Sequence, residues 1–162
     1  MNEMNELELL KSLSIYLAGS ISGKTVEEVR DYFTNFTKMF SDMGYQVYSP
    51  MTGKGNLRVS KTYDPLGYTL PVATDHAIFN RDRWMVGKAD IIFCNLFNSI
   101  HVSIGSMMEL AWARELRKHI IIVMEERNIH EHAFVIECAD IRFTDIDDAI
   151  SYVESLIYGV QI

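Results

Sequence analysis

The strongest constraint in this sequence is a rhythm. Short apolar runs of strand-forming residues alternate with longer stretches whose apolar residues recur every three or four positions. The runs are Leu13–Ala18, Tyr45–Ser49, Ala89–Leu96, His119–Met124 and Ile141–Thr144. Runs of this length, rich in β-branched and aromatic residues and bounded by Gly, Pro or polar clusters, predict strands. Two of them, Ala-Asp-Ile-Ile-Phe-Cys-Asn-Leu and His-Ile-Ile-Ile-Val-Met, are apolar enough to be buried on both faces, as strands of a parallel sheet are. The intervening stretches predict helices. Thr25 and Glu28 form a capping box, and Val26, Val29, Phe33, Phe36, Met39 and Phe40 make one apolar face from there to about Met43. Gly44 ends that helix. Further helices are expected over 75–88, from Gly105 or Ser106 to Arg117, and from an Asp145 cap to about Tyr158.

Strands that alternate with helices pair in parallel through right-handed crossovers. The expected fold is therefore α/β: a five-stranded parallel sheet in the order 2-1-3-4-5, with helices on both faces. A chain of 162 residues with 48% hydrophobic and 23% charged side chains is expected to form one domain over 1–162, with a core that needs no disulfides. Residues 1–11 read as a short lead-in. Residues 51–74 carry three glycines and two prolines and read as a long functional loop.

Charge and composition exclude several classes. The net charge is -7, which repels polyanions and argues against a nucleic-acid polymer as partner. No run reaches the ~18 apolar residues of a membrane span, so no membrane partner is expected. The acidic first eleven residues lack the basic and apolar regions of a signal peptide. Cys94 and Cys138 have no Cys-x-x-Cys spacing and read as buried thiols of a cytoplasmic protein. No metal site is supported, since a structural zinc needs about four ligands, and no cofactor is expected.

In the order 2-1-3-4-5 the chain reverses direction between strands one and three. Ligands bind in the crevice at the carboxyl ends of such strands, which directs attention to 19–25 and 97–109. The first of these loops reads Gly-Ser-Ile-Ser-Gly-Lys-Thr. It is neither a Walker loop nor Gly-x-Gly-x-x-Gly. Two readings are open for it: a plain tight turn, or a backbone cradle for an anion at a helix start. The second loop leads to Glu109, expected in about the first turn of a helix. There Glu109 either complements the helix dipole or acts as a partly buried nucleophile or base.

Four separated segments then carry a resemblance. They are Ile15-Tyr16-Leu17-Ala18-Gly19-Ser20, Phe79-Asn80-Arg81-Asp82, Lys88-Ala89-Asp90-Ile91-Ile92 and Ser103-x-Gly105-x-x-x-Glu109-Leu110. In this order they resemble the nucleoside 2-deoxyribosyltransferases and the related nucleoside 5'-monophosphate N-glycosidases, over most of residues 13–124. The expected strand order is flavodoxin-like, and the resemblance assigns roles. Glu109 matches the nucleophile that attacks the anomeric carbon, Tyr16 the tyrosine that orients it, and Asp82 the acid that handles the proton of the departing base. Gly19, Ser20, Ile21, Ser103 and Gly105 match the substrate-binding loops. The chemistry agrees, because a glycosidic bond breaks through an oxocarbenium-like sugar that a fixed carboxylate stabilises, with a proton donor at the leaving base.

Ser103 is a departure. Transferases acting on free nucleosides usually have an aspartate there, which holds the 5'-hydroxyl, whereas the monophosphate glycosidases have serine. A carboxylate would repel a 5'-phosphate and a hydroxyl would donate to it. Ser20, Ser22 and Gly23 add donors, and Lys24 is a candidate for the basic side chain that glycosidases often carry where this chain has Ser22. The family also borrows a polar residue from a neighbouring subunit, which implies a homo-oligomer. His130, Glu131 and His132 are candidates, although they read more simply as a solvated loop. Trp84 and Trp112 read as core or interface. Tyr63 and Tyr68 could cover a nucleobase or belong to an ordinary packed loop.

The expected function is transfer of 2-deoxyribose between nucleobases through a glycosyl-Glu109 intermediate, with a small nucleoside or nucleotide and a free nucleobase as partners. The alternatives are hydrolysis of a 2'-deoxynucleoside 5'-monophosphate, cleavage of NAD-type nucleotides, and a nucleotide sensor without turnover.

Overall fold

Residues 13–21, 23–52 and 74–158 are described by a computed structural model of the chain. Five strands, β1 (Ser14–Gly19), β2 (Gln46–Tyr48), β3 (Ile91–Asn95), β4 (His119–Val123) and β5 (Ile141–Phe143), alternate with five helices. The helices are α1 (Val26–Asp42), α2 (Asp75–Lys88), α3 (Ile104–Glu115), α4 (Ala133–Cys138) and α5 (Ile146–Tyr158). The sheet is parallel throughout, in the order β2-β1-β3-β4-β5, as the alternation predicts.

The period of two along β1 sorts its side chains onto two faces. Ile15 and Leu17 join Val26, Val29, Phe33 and Phe40 of α1 and Ala149 and Val153 of α5 in one core. Tyr16 and Ala18 face the other way, onto Met85 and Val86 of α2, Leu110 and Ala113 of α3 and Val135 of α4. Burial of Phe33 and Phe40 in the first core stabilises the fold by roughly 2–3 kcal/mol each. The capping box at Thr25 is present, with the Glu28 carboxylate accepting from the Thr25 amide at 2.7 Å.

Local chemistry fixes how the strands meet. Asp90 accepts from both the amide and the hydroxyl of Ser14, at 2.9 and 2.7 Å, tying the starts of β1 and β3 together. At the other end of β1, Gly19 pairs with Asn95. A Cβ on Gly19 would lie 2.8 Å from the Asn95 carbonyl oxygen, so the close approach of the two strands there requires glycine.

Several expectations are corrected. The six-residue helix α4 was not expected, and no strong apolar period marks it. It is capped by His132, whose Nδ1 accepts from the Phe134 amide at 3.2 Å. Cys94 is buried as expected, but Cys138 is only half-buried. Trp84 is 56% exposed, which overturns the core reading and not the interface one; its ring meets the edge of Tyr48, and the ring centre lies 5.9 Å from the Lys88 ammonium. Most of the 51–74 loop, with Tyr63 and Tyr68, lies outside the described residues.

Candidate active site

Tyr16, Asp82 and Glu109 come from a strand and two helices that share one face of the sheet. Each helix carries its carboxylate on its inward stripe. In α2, Asp82 shares that stripe with buried Met85 and Val86, three and four residues on. In α3, buried Ser106, Glu109, Leu110 and Ala113 follow the same spacing. Packing of the apolar members therefore carries the carboxylates towards Tyr16 on β1.

The Tyr16 hydroxyl donates to Oε1 of Glu109 at 2.6 Å. Tyr16 is fully buried, and Glu109 and Asp82 are 8% and 9% exposed. Burial pushes the Tyr16 phenol well above its ordinary pKa, and the nearby charges of Glu109 and then Asp82 push it further. The phenol therefore stays protonated and remains a donor to the Glu109 carboxylate. Asp82 also lies beside the Arg81 guanidinium, at 3.8 Å. Glu109 stands in the second turn of α3 rather than the first, where the helix dipole has faded. Its placement follows from Tyr16 and the inward stripe, not from the helix end.

The loops at the strand ends frame this group. Ser20 follows Gly19 and is 5% exposed; its hydroxyl has no hydrogen-bond partner among the described residues. Ile21 packs against the α1 side of the core, and its carbonyl accepts from the Lys24 amide at 3.3 Å. Ser22 is outside the described residues. The Lys24 ammonium lies 5.7 Å from the centre of the Tyr32 ring, so its contact is with that ring.

Ser103 caps α3. Its hydroxyl accepts from the Ser106 amide at 3.4 Å and shares a hydrogen with the Ser106 hydroxyl at 2.9 Å. Gly105 lies one turn before Glu109, and a Cβ there would meet open space.

His130 overturns the reading of its segment as a solvated loop. It is 2% exposed and accepts the Ser103 amide on Nε2 at 2.8 Å. The polar side chain of Asn128, also buried, holds it from behind. Sequence periodicity carries no signal for such a contact, since the partners are 27 residues apart on two loops. His132 is the α4 cap, and the Glu131 carboxylate accepts from the Arg127 amide at 2.9 Å. Trp112 is half-buried against the ring edge of Phe79. No group of three or more metal-ligating side chains occurs among the described residues, and no described helix is long and apolar enough to cross a membrane.

A parallel α/β sheet with a buried tyrosine–carboxylate pair and a second carboxylate beside it defines a class of protein able to stabilise positive charge on a bound ligand and to move a proton. Within that class the relationship is specific. The family model for nucleoside 2-deoxyribosyltransferase matches residues 15–149, and the chain belongs to that family of glycosyl-transferring enzymes. Solved structures share the fold. A 2-deoxyribosyltransferase from Bacillus psychrosaccharolyticus has a TM-score of 0.64 at 19% identity, covering 89% of this chain and 95% of its own. A 2-desoxiribosyltransferase from Leishmania mexicana has a TM-score of 0.61 at 15% identity, with 88% and 97% covered. The CMP N-glycosidase BcmB from Clostridium botulinum has a TM-score of 0.55 at 14% identity, with 88% and 98% covered. No curated protein matches the chain in sequence.

Proposed function

We propose that this chain is a nucleoside 2-deoxyribosyltransferase, with 1–162 forming one catalytic domain. The observation that carries the reading is the Tyr16–Glu109 hydrogen bond with the Asp82 carboxyl group beside it. Tyr16 holds one Glu109 oxygen and so aims the other at the anomeric carbon of a 2'-deoxynucleoside. As the bond to the base breaks, the Glu109 carboxylate stabilises the oxocarbenium-like sugar and then bonds to it. Asp82 supplies the proton that the departing base takes up. A second base attacks the glycosyl-Glu109 ester, returns its proton to Asp82 and leaves as the new nucleoside. Gly19, Ser20 and Ile21 on one side, and Ser103 and Gly105 on the other, hold the sugar and its 5' end.

The second reading is hydrolysis of a 2'-deoxynucleoside 5'-monophosphate, in which water resolves the same ester. It is favoured by Ser103, a hydroxyl rather than a carboxylate at the cap of α3. With its acceptor capacity engaged by Ser106, that hydroxyl can still donate its own hydrogen to a phosphate.

A second copy of the chain is part of the proposal. Val102, Ile129 and Phe134 are 50%, 50% and 79% exposed around a groove of about 450 Å³. Grouped exposed apolar side chains are typical of a surface covered in an assembly.

Deoxynucleosides and their 5'-monophosphates, each incubated with and without a second free base and resolved by chromatography, test the reading. New nucleoside that forms only with the acceptor base supports transfer. Free base released from monophosphates regardless of acceptor supports hydrolysis. In both cases Glu109→Ala must abolish turnover with the fold retained; an active variant ends the glycosyl-enzyme mechanism.

A further inference from the structure

The buried His130 sits between two loops with its ring nitrogens in unlike roles. Asn128 fixes those roles. Its Nδ2 donates to the Leu96 carbonyl at 2.7 Å, which turns its Oδ1 towards His130. That oxygen accepts the His130 backbone amide at 2.9 Å and lies 3.0 Å from His130 Nδ1. Nδ1 must therefore carry the hydrogen. Nε2, which faces the Ser103 amide at 2.8 Å, must be bare to accept from it. The ring is held as the neutral Nδ1–H tautomer, because a proton on Nε2 would set two donors against each other.

Ser103 is the cap of α3, and Glu109 stands six residues further along the same helix. The amide that His130 grips thus lies at the junction between the loop of 97–103 and the helix that carries the carboxylate. We propose that His130 is a positioning residue: in its neutral Nδ1–H form it latches the Ser103 amide, setting the cradle for the sugar's 5' end, and on protonation it releases that amide and weakens substrate binding. This inference rests on the reading of the site as a nucleoside site.

Among the described residues Glu125, two residues past β4, is the charge that acts on the ring, favouring the protonated form; its carboxylate also accepts from the Asn98 amide at 3.1 Å. His132 and Cys138 line the groove on the α4 side, among Val102, Met107 and Leu110. Burial opposes Glu125 and is the larger effect, holding the imidazole below its ordinary pKa. The latch is therefore closed at neutral pH and opens on the acid side. Released from Ser103, the protonated ring is still favoured by the Glu125 charge.

Two measurements on the full chain test the latch. The first is two-bond proton–nitrogen correlation of the histidine rings during a pH titration, with the His130 signals identified by their loss in His130→Phe. An Nδ1–H tautomer is expected, together with a Ser103 amide resonance that moves with the midpoint of His130. An Nε2–H tautomer, or a Ser103 amide that ignores the titration, overturns the proposal.

The second is steady-state kinetics of His130→Phe, which keeps a ring without an acceptor, and His130→Gln, whose side-chain oxygen can accept. His130→Phe should raise KM about tenfold, the loss of one ~1.4 kcal/mol hydrogen bond, with kcat within about twofold. Its KM should also lose the rise that the wild-type chain shows on acidification. His130→Gln should recover most of the binding. A merely structural histidine would lower Tm and leave KM and its pH profile alone, and that result overturns the proposal. If the wild-type chain cleaves no nucleoside, the functional reading fails, and the tautomer and Ser103 titration still decide the latch.

Discussion

The Tyr16 hydroxyl and Glu109 Oε1 meet at 2.6 Å although 93 residues separate them in the chain. One comes from the third residue of a central strand and the other from the second turn of a helix laid over that strand. Removing the hydroxyl alone tests what this contact does. Tyr16→Phe keeps the ring that fills the core and deletes the donor. A hydrogen bond to a charged group is worth about 1.5–3 kcal/mol, so kcat should fall roughly 10- to 100-fold while the far-UV spectrum is unchanged. Unaltered kcat would show that Glu109 is aimed by other contacts.

Asp82→Asn separates proton donation from sugar stabilisation. Loss of a general acid costs about 10²- to 10⁴-fold. The fall should be in that range for natural bases and much smaller for a 2'-deoxynucleoside whose base departs as a stable anion. Equal losses with both leaving groups would remove Asp82 from the proton path.

Gly19→Ala is expected to destabilise the fold rather than act on chemistry alone. Its Cβ would sit 2.8 Å from a backbone oxygen of β3, and backbone cannot swing aside as a side chain can. A loss of about 1–3 kcal/mol is expected, as for other overpacked interiors, read as a lower urea midpoint with unchanged m-value.

Stability should fall on acidification in a way that depends on His130. Its folded-state pKa lies below the ordinary 6.5 because burial disfavours the charged ring. The unfolded chain then binds the extra proton first. This contribution is full above pH 6.5 and is lost as pH drops below it towards the folded-state value. Thermal melts between pH 5 and 8 should show a slope in Tm over that window, shallower in His130→Phe. An identical slope in the variant would place the titrating group elsewhere.

Much of this fold is legible in the sequence because burial periods are strong. The runs at 89–96 and 119–124 announce interior parallel strands, and Thr25 with Glu28 announces a helix start that the structure contains. The site was legible in a different way. Tyr16, Asp82 and Glu109 are named by the resemblance that four ordered segments carry; the structure then shows Glu109 on one inward stripe with Ser106, Leu110 and Ala113, and Asp82 on another with Met85 and Val86. A carboxylate on an inward stripe is where sequence and packing disagree, and it marks functional positions. Helix α4 and His130 escaped for the opposite reason. A six-residue helix has less than two turns in which a period could appear. The burial of His130 depends on Asn128 and Ser103, contacts that hydropathy does not encode.

The layer between α3 and the sheet has one more consequence. Leu110 and Ala113 fill the space beneath α3, against Tyr16, Ile92, Cys94, Ile120 and Ile122. The height of the helix above the strand is the sum of those side-chain thicknesses, and interiors packed this tightly transmit a change of one methylene. The reach from phenol to carboxylate is thus gauged by the buried side chains packed beneath the helix. Variants that alter catalytic rate without altering any polar group should therefore map to this hidden seam, and a search for altered activity would do well to sample Leu110 and Ala113 as readily as the loops.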